Sequence, residues 1–369
     1  MDELKDNRLS VQSNWQAKNV AALEAAFIRP RVYGDTPSFM ELPVAWDADD
    51  LKGADAIFVG IPWEGDRILN STTFATMGER PADPDAILTR SGAYDAPEYI
   101  RKYSVHYSVL SSGGLWPEVG PGFRLPDHVK VVDYRDVEVK EWDVEETARR
   151  AIDKVSDIVR AGAVPLVIGG DHSIPYMVMK AISDNTQGKT GIVFFDTHYD
   201  LTPAGGRLNA GNALGRIFAS CQVDPKNLVE IGIRGTQSPA EWAQVAEWIG
   251  CTVFTITDVE KVGMHEVIAR AIEIASQDTE RIYVSLDVDV IDPLHFPAQK
   301  YPDAFGLTAR QVREALRVLS RETNLAGFDI CCIGPAYDHK GTSALIANRF
   351  YVEVLIGLAL RKRSMTNDK

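Results

Sequence analysis

The sequence predicts an α/β protein, a single three-layer α/β/α domain on a mainly parallel sheet. Three observations carry this. Apolar runs alternate with amphipathic segments from residue 56 to 360 without a linker or an internal repeat. The runs are continuous in apolar character, as in strands buried on both faces. Three of them end in clustered Asp and His, which is where an open parallel sheet places its site.

In chain order, residues 1–50 are polar and punctuated by Pro and Gly. They read as an N-terminal arm lying on the domain or on a neighbour, with a short helix over Asn19–Phe27. Residues 51–360 form the main domain. Strands are expected at 56–62, 130–133, 164–168, 191–195, 228–234, 251–256, 282–286 and 325–330. Helices are expected over 92–103, 144–160, 174–182, 239–249, 264–275, 309–319 and 343–360. The second of these carries Ala151, Ile152, Val155, Ile158 and Val159 at helical spacing. Between the first strand and the first helix runs a long Gly, Pro, Asp and Thr-rich loop, 63–91, a length usually reserved for function or disorder. Residues 361–369 read as a frayed polar tail.

The chain has 369 residues, with 39 Lys+Arg against 52 Asp+Glu for a net charge of −13. That balance argues against nucleic acid or an anionic membrane as the main partner and is compatible with a small cationic substrate. The first residues show no basic-then-apolar signal. The four cysteines, Cys221, Cys251, Cys331 and Cys332, form no Cys-x-x-Cys pair and are expected to be reduced, in a cytoplasmic protein. No Gly-x-Gly-x-x-Gly follows the first strand and there is no phosphate loop, so a nucleotide cofactor is not expected.

The chemistry concentrates in Phe194-Phe195-Asp196-Thr197-His198-Tyr199-Asp200, with the apolar run 191–195 leading into it. Residues i, i+2 and i+4 of an extended segment share a side, so two carboxylates and one imidazole can converge. Asp and His after a strand also serve as turn formers and caps. Two further stretches have the same build, Gly169-Gly170-Asp171-His172-Ser173 and Ser285-Leu286-Asp287-Val288-Asp289-Val290-Ile291-Asp292-Pro293. Together they make an oxygen-rich site with two imidazoles, suited to a pair of divalent ions such as Mn or Ni.

These three motifs resemble, in order, the signatures of the ureohydrolases, the family of arginases, agmatinases, guanidinobutyrases and guanidine hydrolases. Arg90–Arg101, Ile231–Gly235 and Phe328–Asp338 match further family segments, so the resemblance spans roughly residues 50–360. Pro37-Ser38-Phe39-Met40 looks closest to the guanidine hydrolase and guanidinobutyrase branch. The resemblance implies the arginase-like fold, a trimer or hexamer of like or unlike subunits, and two divalent ions per chain. One ion would take His172, Asp196, Asp200 and Asp287, the other Asp196, His198, Asp287 and Asp289, with Asp196 and Asp287 bridging. It also implies hydrolysis of a guanidine-type substrate to urea and an amine, with Asp200 among the catalytic carboxylates. Asp171 and Asp292 are expected either to orient ligands and loops or to serve as turn and cap carboxylates.

Three departures from the family pattern stand out. Ala210 occupies the place of a His that aids proton transfer there, with Asn209 beside it facing substrate. Asp303 stands where a Glu grips the guanidinium, in a segment, 297–306, that has lost the family's glycines and gained Lys300 and Tyr301. Cys332 replaces a Glu. We expect Asp303 as a catalytic and substrate-binding group, with Tyr301 and Asn209 also binding substrate. His106, His295 and His339 are candidates to replace the lost base. Two explanations fit: a pocket rebuilt for a substituted guanidine or a biguanide, or a weakened subunit supporting an active paralogue. A regulatory or scaffolding subunit would keep the fold without turnover. A histone-deacetylase-like zinc amidohydrolase would need an adjacent His pair, which this chain lacks.

Overall fold

A computed structural model describes residues 36–65, 92–107, 116, 118–120, 122–140, 143–235, 238 and 240–367. Its centre is an eight-stranded sheet: β1 (Ala56–Gly60), β2 (Val131–Asp136), β3 (Val164–Ile168), β4 (Thr190–Phe195), β5 (Leu228–Ile233), β6 (Thr252–Thr255), β7 (Arg281–Asp287) and β8 (Leu325–Cys331). The spatial order is β2-β1-β3-β8-β7-β4-β5-β6, and every pairing is parallel. β3 and β4 are consecutive in sequence yet separated by β8 and β7. Chain direction across the sheet reverses there, and the crevice this opens at the carboxyl ends is where a site is expected.

Helices α1 (Ala96–Ser104), α2 (Val144–Arg160), α3 (Ile174–Asn185), α4 (Ala213–Ser220), α5 (Ala240–Ile249), α6 (Ile256–Val262), α7 (Met264–Ala275), α8 (Ala309–Glu322) and α9 (Thr342–Asn367) cover the sheet. Their starts follow capping chemistry. Asp143 accepts the Glu146 N–H at the head of α2, and Thr308 and Gln311 form a reciprocal capping box on α8. Each then buries one stripe, Ala148, Ala151, Val155 and Ile158 on α2 and Val312, Ala315, Leu316 and Leu319 on α8.

Two short helices escape a reading by periodicity. α4 contains Gly215, normally a mark against helix, and the structure shows why it is there: a Cβ would lie 2.3 Å from the Thr202 carbonyl oxygen. α6 begins at Ile256, inside the segment read as strand, because Thr255 and Asp258 form a capping box that turns the chain at once into helix. The expected tail also differs. α9 continues to Asn367, and Lys362 reaches Asp55 at 2.7 Å. By length and composition α9 is apolar enough to cross a membrane, but 72% of its most apolar window is buried inside the fold, as in a core helix. The helix expected over 19–27 and most of the loop at 63–91 lie outside the described residues.

The described end of the arm is anchored. Phe39 is fully buried and stacks on Phe58 of β1 at 3.8 Å between centroids. Its N–H donates to Asp133 at 2.7 Å, and Arg101 grips the same carboxylate with Nε at 2.8 Å and Nη2 at 3.0 Å. Arg101 Nη1 also donates to Asp136. Burial opposes the charge on Asp133, but Arg101 and the N–H groups of Phe39 and Arg135 outweigh it and hold the carboxyl below its usual range.

Arg101→Met should therefore destabilise the protein by about 3–5 kcal/mol, since it strands a buried carboxylate, measured by urea unfolding at neutral pH. The sign with pH follows from the lowered folded pKa. The Asp133 contribution is fully present above about pH 4, the unfolded value. It is lost as pH falls through the folded one, so the difference between wild type and variant should shrink in acid.

Candidate metal centre

The register of the central strands sets the site. Val167, Asp329, Ser285, Phe194 and Glu230 lie side by side on β3, β8, β7, β4 and β5, and partners in register share a face. Two residues further along, the same face carries Cys331, Asp287 and Asp196, at or just past the strand ends. Loops add His172 after β3, His198 and Asp200 after β4, and Asp289 after β7. Short side chains are needed because the strands are only about 4.8 Å apart, and Asp meets that requirement better than Glu.

The six side chains implied as ligands come together. His172 Nδ1 lies 2.8 Å from Asp196 Oδ2, 3.1 Å from Asp200 Oδ2 and 3.6 Å from Asp287 Oδ2. His198 Nδ1 lies 3.3 Å from Asp196 Oδ1 and 3.2 Å from Asp289 Oδ2. Two compact triads result, His172–Asp196–Asp200 and Asp196–His198–Asp289. Asp196 belongs to both and turns one oxygen to each imidazole, the geometry of a bridge. Asp287 leans to the His172 side, while its Oδ1 accepts the Asp289 N–H at 2.9 Å.

A hydrogen-bond network fixes which His172 nitrogen faces the carboxylates. Nε2 lies 3.0 Å from Ser285 Oγ, and that hydroxyl donates to Asp329 Oδ1 at 2.8 Å. With its one proton committed, Ser285 must accept from Nε2–H, so Nδ1 is the nitrogen turned to the carboxylates. Burial opposes positive charge on the ring, but Asp196, Asp200 and Asp287 outweigh it, so the oxygens around Nδ1 favour either a proton there or a metal cation in its place. Asp196 Oδ2 and Asp289 Oδ2 are buried and accept no hydrogen bond, which points the same way. Without a cation the carboxylates titrate apart. Asp287 is pushed well up by burial, then by Asp289 and Asp196. Asp200 is raised by burial and Asp196. Asp196 is lowered because His172 and His198 overcome its burial. The donor set of hard oxygens and two imidazoles fits divalent first-row ions.

Asp329 supports this arrangement from below. It is fully buried on β8 and accepts from Ser285, from Tyr283 and, at 3.2 Å, from Cys331 Sγ. Burial pushes its carboxyl up to about 7, against the pull of His172 and the Cys331 thiol.

The triads open into a cavity of about 220 Å³ lined by His172, His198, Asp200, Ala210, Gly211, Trp242, Asp287, Asp289, Lys300, Tyr301 and Cys332. Tyr301 is one wall, edge-on to His198 at 5.8 Å. Lys300 is buried with Glu64, Nζ to Oε1 3.2 Å, so its charge is neutralised within the protein wall.

Several expectations are corrected here. Asp303 does not line the cavity. Its carboxylate lies against Gly235, where a Cβ would come within 2.0 Å of Oδ2, and its carbonyl accepts from Arg234 at 2.7 Å. Asn209 does not line it either. Asn209 Nδ2 donates to the Arg207 carbonyl at 3.0 Å, and Asn209 pairs with Asn212 to cap the turn before α4. His106, His295 and His339 are exposed and outside the cavity lining. Asp171 accepts from Gly65 N–H at 2.6 Å and from Ser173 N–H at 3.1 Å and so ties the β1 loop to the entry of α3, one of the roles expected of it. Asp292 accepts from the N–H groups of Leu294 and Phe305, at 2.9 and 2.7 Å, and folds the 292–306 loop.

Residues that sequence reasoning missed are Trp242, Glu64, Ser285 and Asp329. Trp242 comes from α5, a few residues beyond the Ile231–Gly235 segment and outside the three Asp/His motifs. It packs over Gly211, where an added Cβ would stand 3.4 Å from the indole, an ordinary contact distance. For Ser285 there was a signal, since it stands two residues before Asp287 on the same face.

Comparison with known proteins agrees with this geometry. The arginase family model matches residues 80–357. The human mitochondrial guanidino acid hydrolase is 30% identical over 87% of this chain and 82% of its own. The crystal structure of proclavaminate amidino hydrolase from Streptomyces clavuligerus is 27% identical with a TM-score of 0.72, covering 90% of this chain and 100% of that one. A formiminoglutamase from Trypanosoma cruzi, solved with Mn2+, shares the fold at a TM-score of 0.72 and 22% identity, over 89% of this chain and 100% of that one. The chain belongs to the arginase family of metal-dependent ureohydrolases, which cleave guanidino C–N bonds.

Proposed function

We propose that this protein hydrolyses a substituted guanidine or biguanide, or guanidine itself, at a dinuclear centre of manganese or nickel. The products are a urea and an amine. The observation that carries the reading is Asp196, one carboxylate shared by two His/Asp triads at the end of a cavity. His172, Asp196, Asp200 and Asp287 would hold one ion, and Asp196, His198, Asp287 and Asp289 the other. Manganese is the metal described for the Trypanosoma cruzi relative. Two such ions supply Lewis acidity and a water of lowered pKa.

The chain's own residues do the rest. Trp242 and Tyr301 offer aromatic walls to a planar cation. Ala210 and Gly211 leave room where a bulkier loop would fill the cavity. This favours a substrate larger than guanidine, although the relatives named for guanidino acids show that a carboxylate-bearing tail is an alternative.

The purified chain should contain about two Mn or Ni by elemental analysis and release urea or a substituted urea from one member of a panel of guanidine, agmatine, 4-guanidinobutyrate, arginine and dimethylbiguanide. Metal without turnover would shift the assignment to a subunit that works with an active paralogue, sought by co-expression. Absence of metal would refute the dinuclear reading. Asp196→Asn should abolish loading of both ions. Ser285→Ala and Asp329→Asn, which only release the far side of His172, should weaken metal affinity about 10–100-fold, read by competition with a chelator.

A further inference from the structure

We propose that Lys300 is the proton donor to the departing amine and that Glu64 holds it in place, an assignment that rests on the hydrolase reading above. Breaking a guanidine C–N bond leaves an electron pair on nitrogen. An aliphatic amine does not depart without a proton, so one must be delivered inside the cavity.

Among the described cavity residues, most of the groups that carry protons are committed. His172 and His198 face the carboxylates of the metal triads. His106, His295 and His339 lie outside, and Ala210 has no proton to give. Lys300 is different. Its side chain is 1% exposed, yet it lines the cavity. Its Nζ lies 3.2 Å from Glu64 Oε1 and 5.5 Å from the centre of the Tyr301 ring, which itself stands edge-on to His198. Its N–H donates to the Cys332 carbonyl at 3.1 Å, fixing the base of the side chain beside β8. Glu64 is itself buried, and its Oε2 accepts the Gly92 N–H at 2.9 Å. An ammonium held by a buried carboxylate in the wall of the cavity is a preorganised acid.

The step balances. The tetrahedral adduct bears one hydroxyl and three nitrogens. One C–N bond breaks and its pair stays on nitrogen. The hydroxyl gives its proton to a cavity carboxylate as the C=O bond forms, and nitrogen takes a proton from Lys300 Nζ. Lys300 is left as the neutral amine and regains its proton from water after release, while the carboxylate gives the proton it took from the hydroxyl up to solvent.

The test compares wild type, Lys300→Met and Lys300→Arg, purified with their metal, on N-substituted guanidines whose leaving amines differ in basicity, from methylamine to trifluoroethylamine and aniline. With wild type, kcat should depend little on the amine. Both variants should lose about 10²–10⁴-fold with methylguanidine and far less with phenylguanidine. Metal content should be unchanged in both variants; Lys300→Met, which strands the buried Glu64 carboxylate, should melt lower, and Lys300→Arg should keep the wild-type melting temperature and calorimetric affinity for a non-hydrolysed guanidinium. Arg keeps the charge and the pairing with Glu64, so the variant separates proton delivery from electrostatics and stands in if Met fails to fold. Equal leaving-group dependence in all three proteins, or wild-type rates in Lys300→Arg, would overturn the assignment while leaving the hydrolase reading intact. A metal-loaded wild type that hydrolyses none of the panel removes the hydrolase reading, and the Lys300 assignment with it.

Discussion

Everything in this fold answers to the crowding of the buried side chains of Asp196, Asp200, Asp287 and Asp289 at the end of one cavity. Like charges at such separations resist ionisation together, and burial adds to the cost. The opposed shifts of Asp196, drawn down, and Asp287, pushed up, express that conflict. A flexible scaffold would relieve it by spreading the carboxylates. A parallel sheet cannot, because strand spacing and register are fixed by backbone hydrogen bonds. The free energy stored in that crowding is released when divalent ions bind, so the sheet converts stability elsewhere in the domain into metal affinity.

The row beneath the metal-binding row shows how rigidity is extended inward. Asp329, Ser285 and Tyr283 form a buried chain of hydrogen bonds ending on His172 Nε2. Such a chain sets the tautomer and aims the ring, as partners behind a ligand generally do. Glu230, on the other flank of the same row, behaves differently. Both its oxygens lack partners, and burial, with Asp196 and Asp200 nearby, pushes its pKa well up. A neutral acid at that position adds no further negative charge to a cluster already short of positive charge.

What the sequence revealed and what it hid divide along a physical line. The eight strands were legible because buried parallel strands need unbroken apolar runs, and Asp196 because the period of two carries one step past the end of β4; His198 and Asp200 lie in the bend beyond it, Asp200 with a φ of 47°, so the motif marked them and the extended period did not. Where the backbone loses that period, spacing no longer sets direction. Asp303 sits at a plausible distance along the 292–306 loop, yet Asp292 folds that loop so that the Asp303 carboxylate turns to Gly235. Asn209 was read as a substrate contact, but its amide is taken up by the turn it caps. Trp242 reaches the cavity, and Glu64 reaches Lys300 in its wall, through tertiary packing alone, and no local pattern marks them.

Lys300 shows most clearly why a charge cannot be judged from its neighbours in sequence. Taken by itself it places a cation in a cavity meant for one. Its counter-ion, Glu64, follows the first strand, on the far side of a long loop, and the two meet only because β1 and β8 both flank β3. The pair contributes no net charge. Two divalent ions would balance the four aspartates, so a guanidinium entering the cavity meets a nearly neutral, aromatic and partly dry space. In such a space a charged guest is held by directed contacts rather than by bulk attraction. The same low dielectric strengthens the hold of Glu64 on Lys300 and fixes where the ammonium sits in the cavity wall.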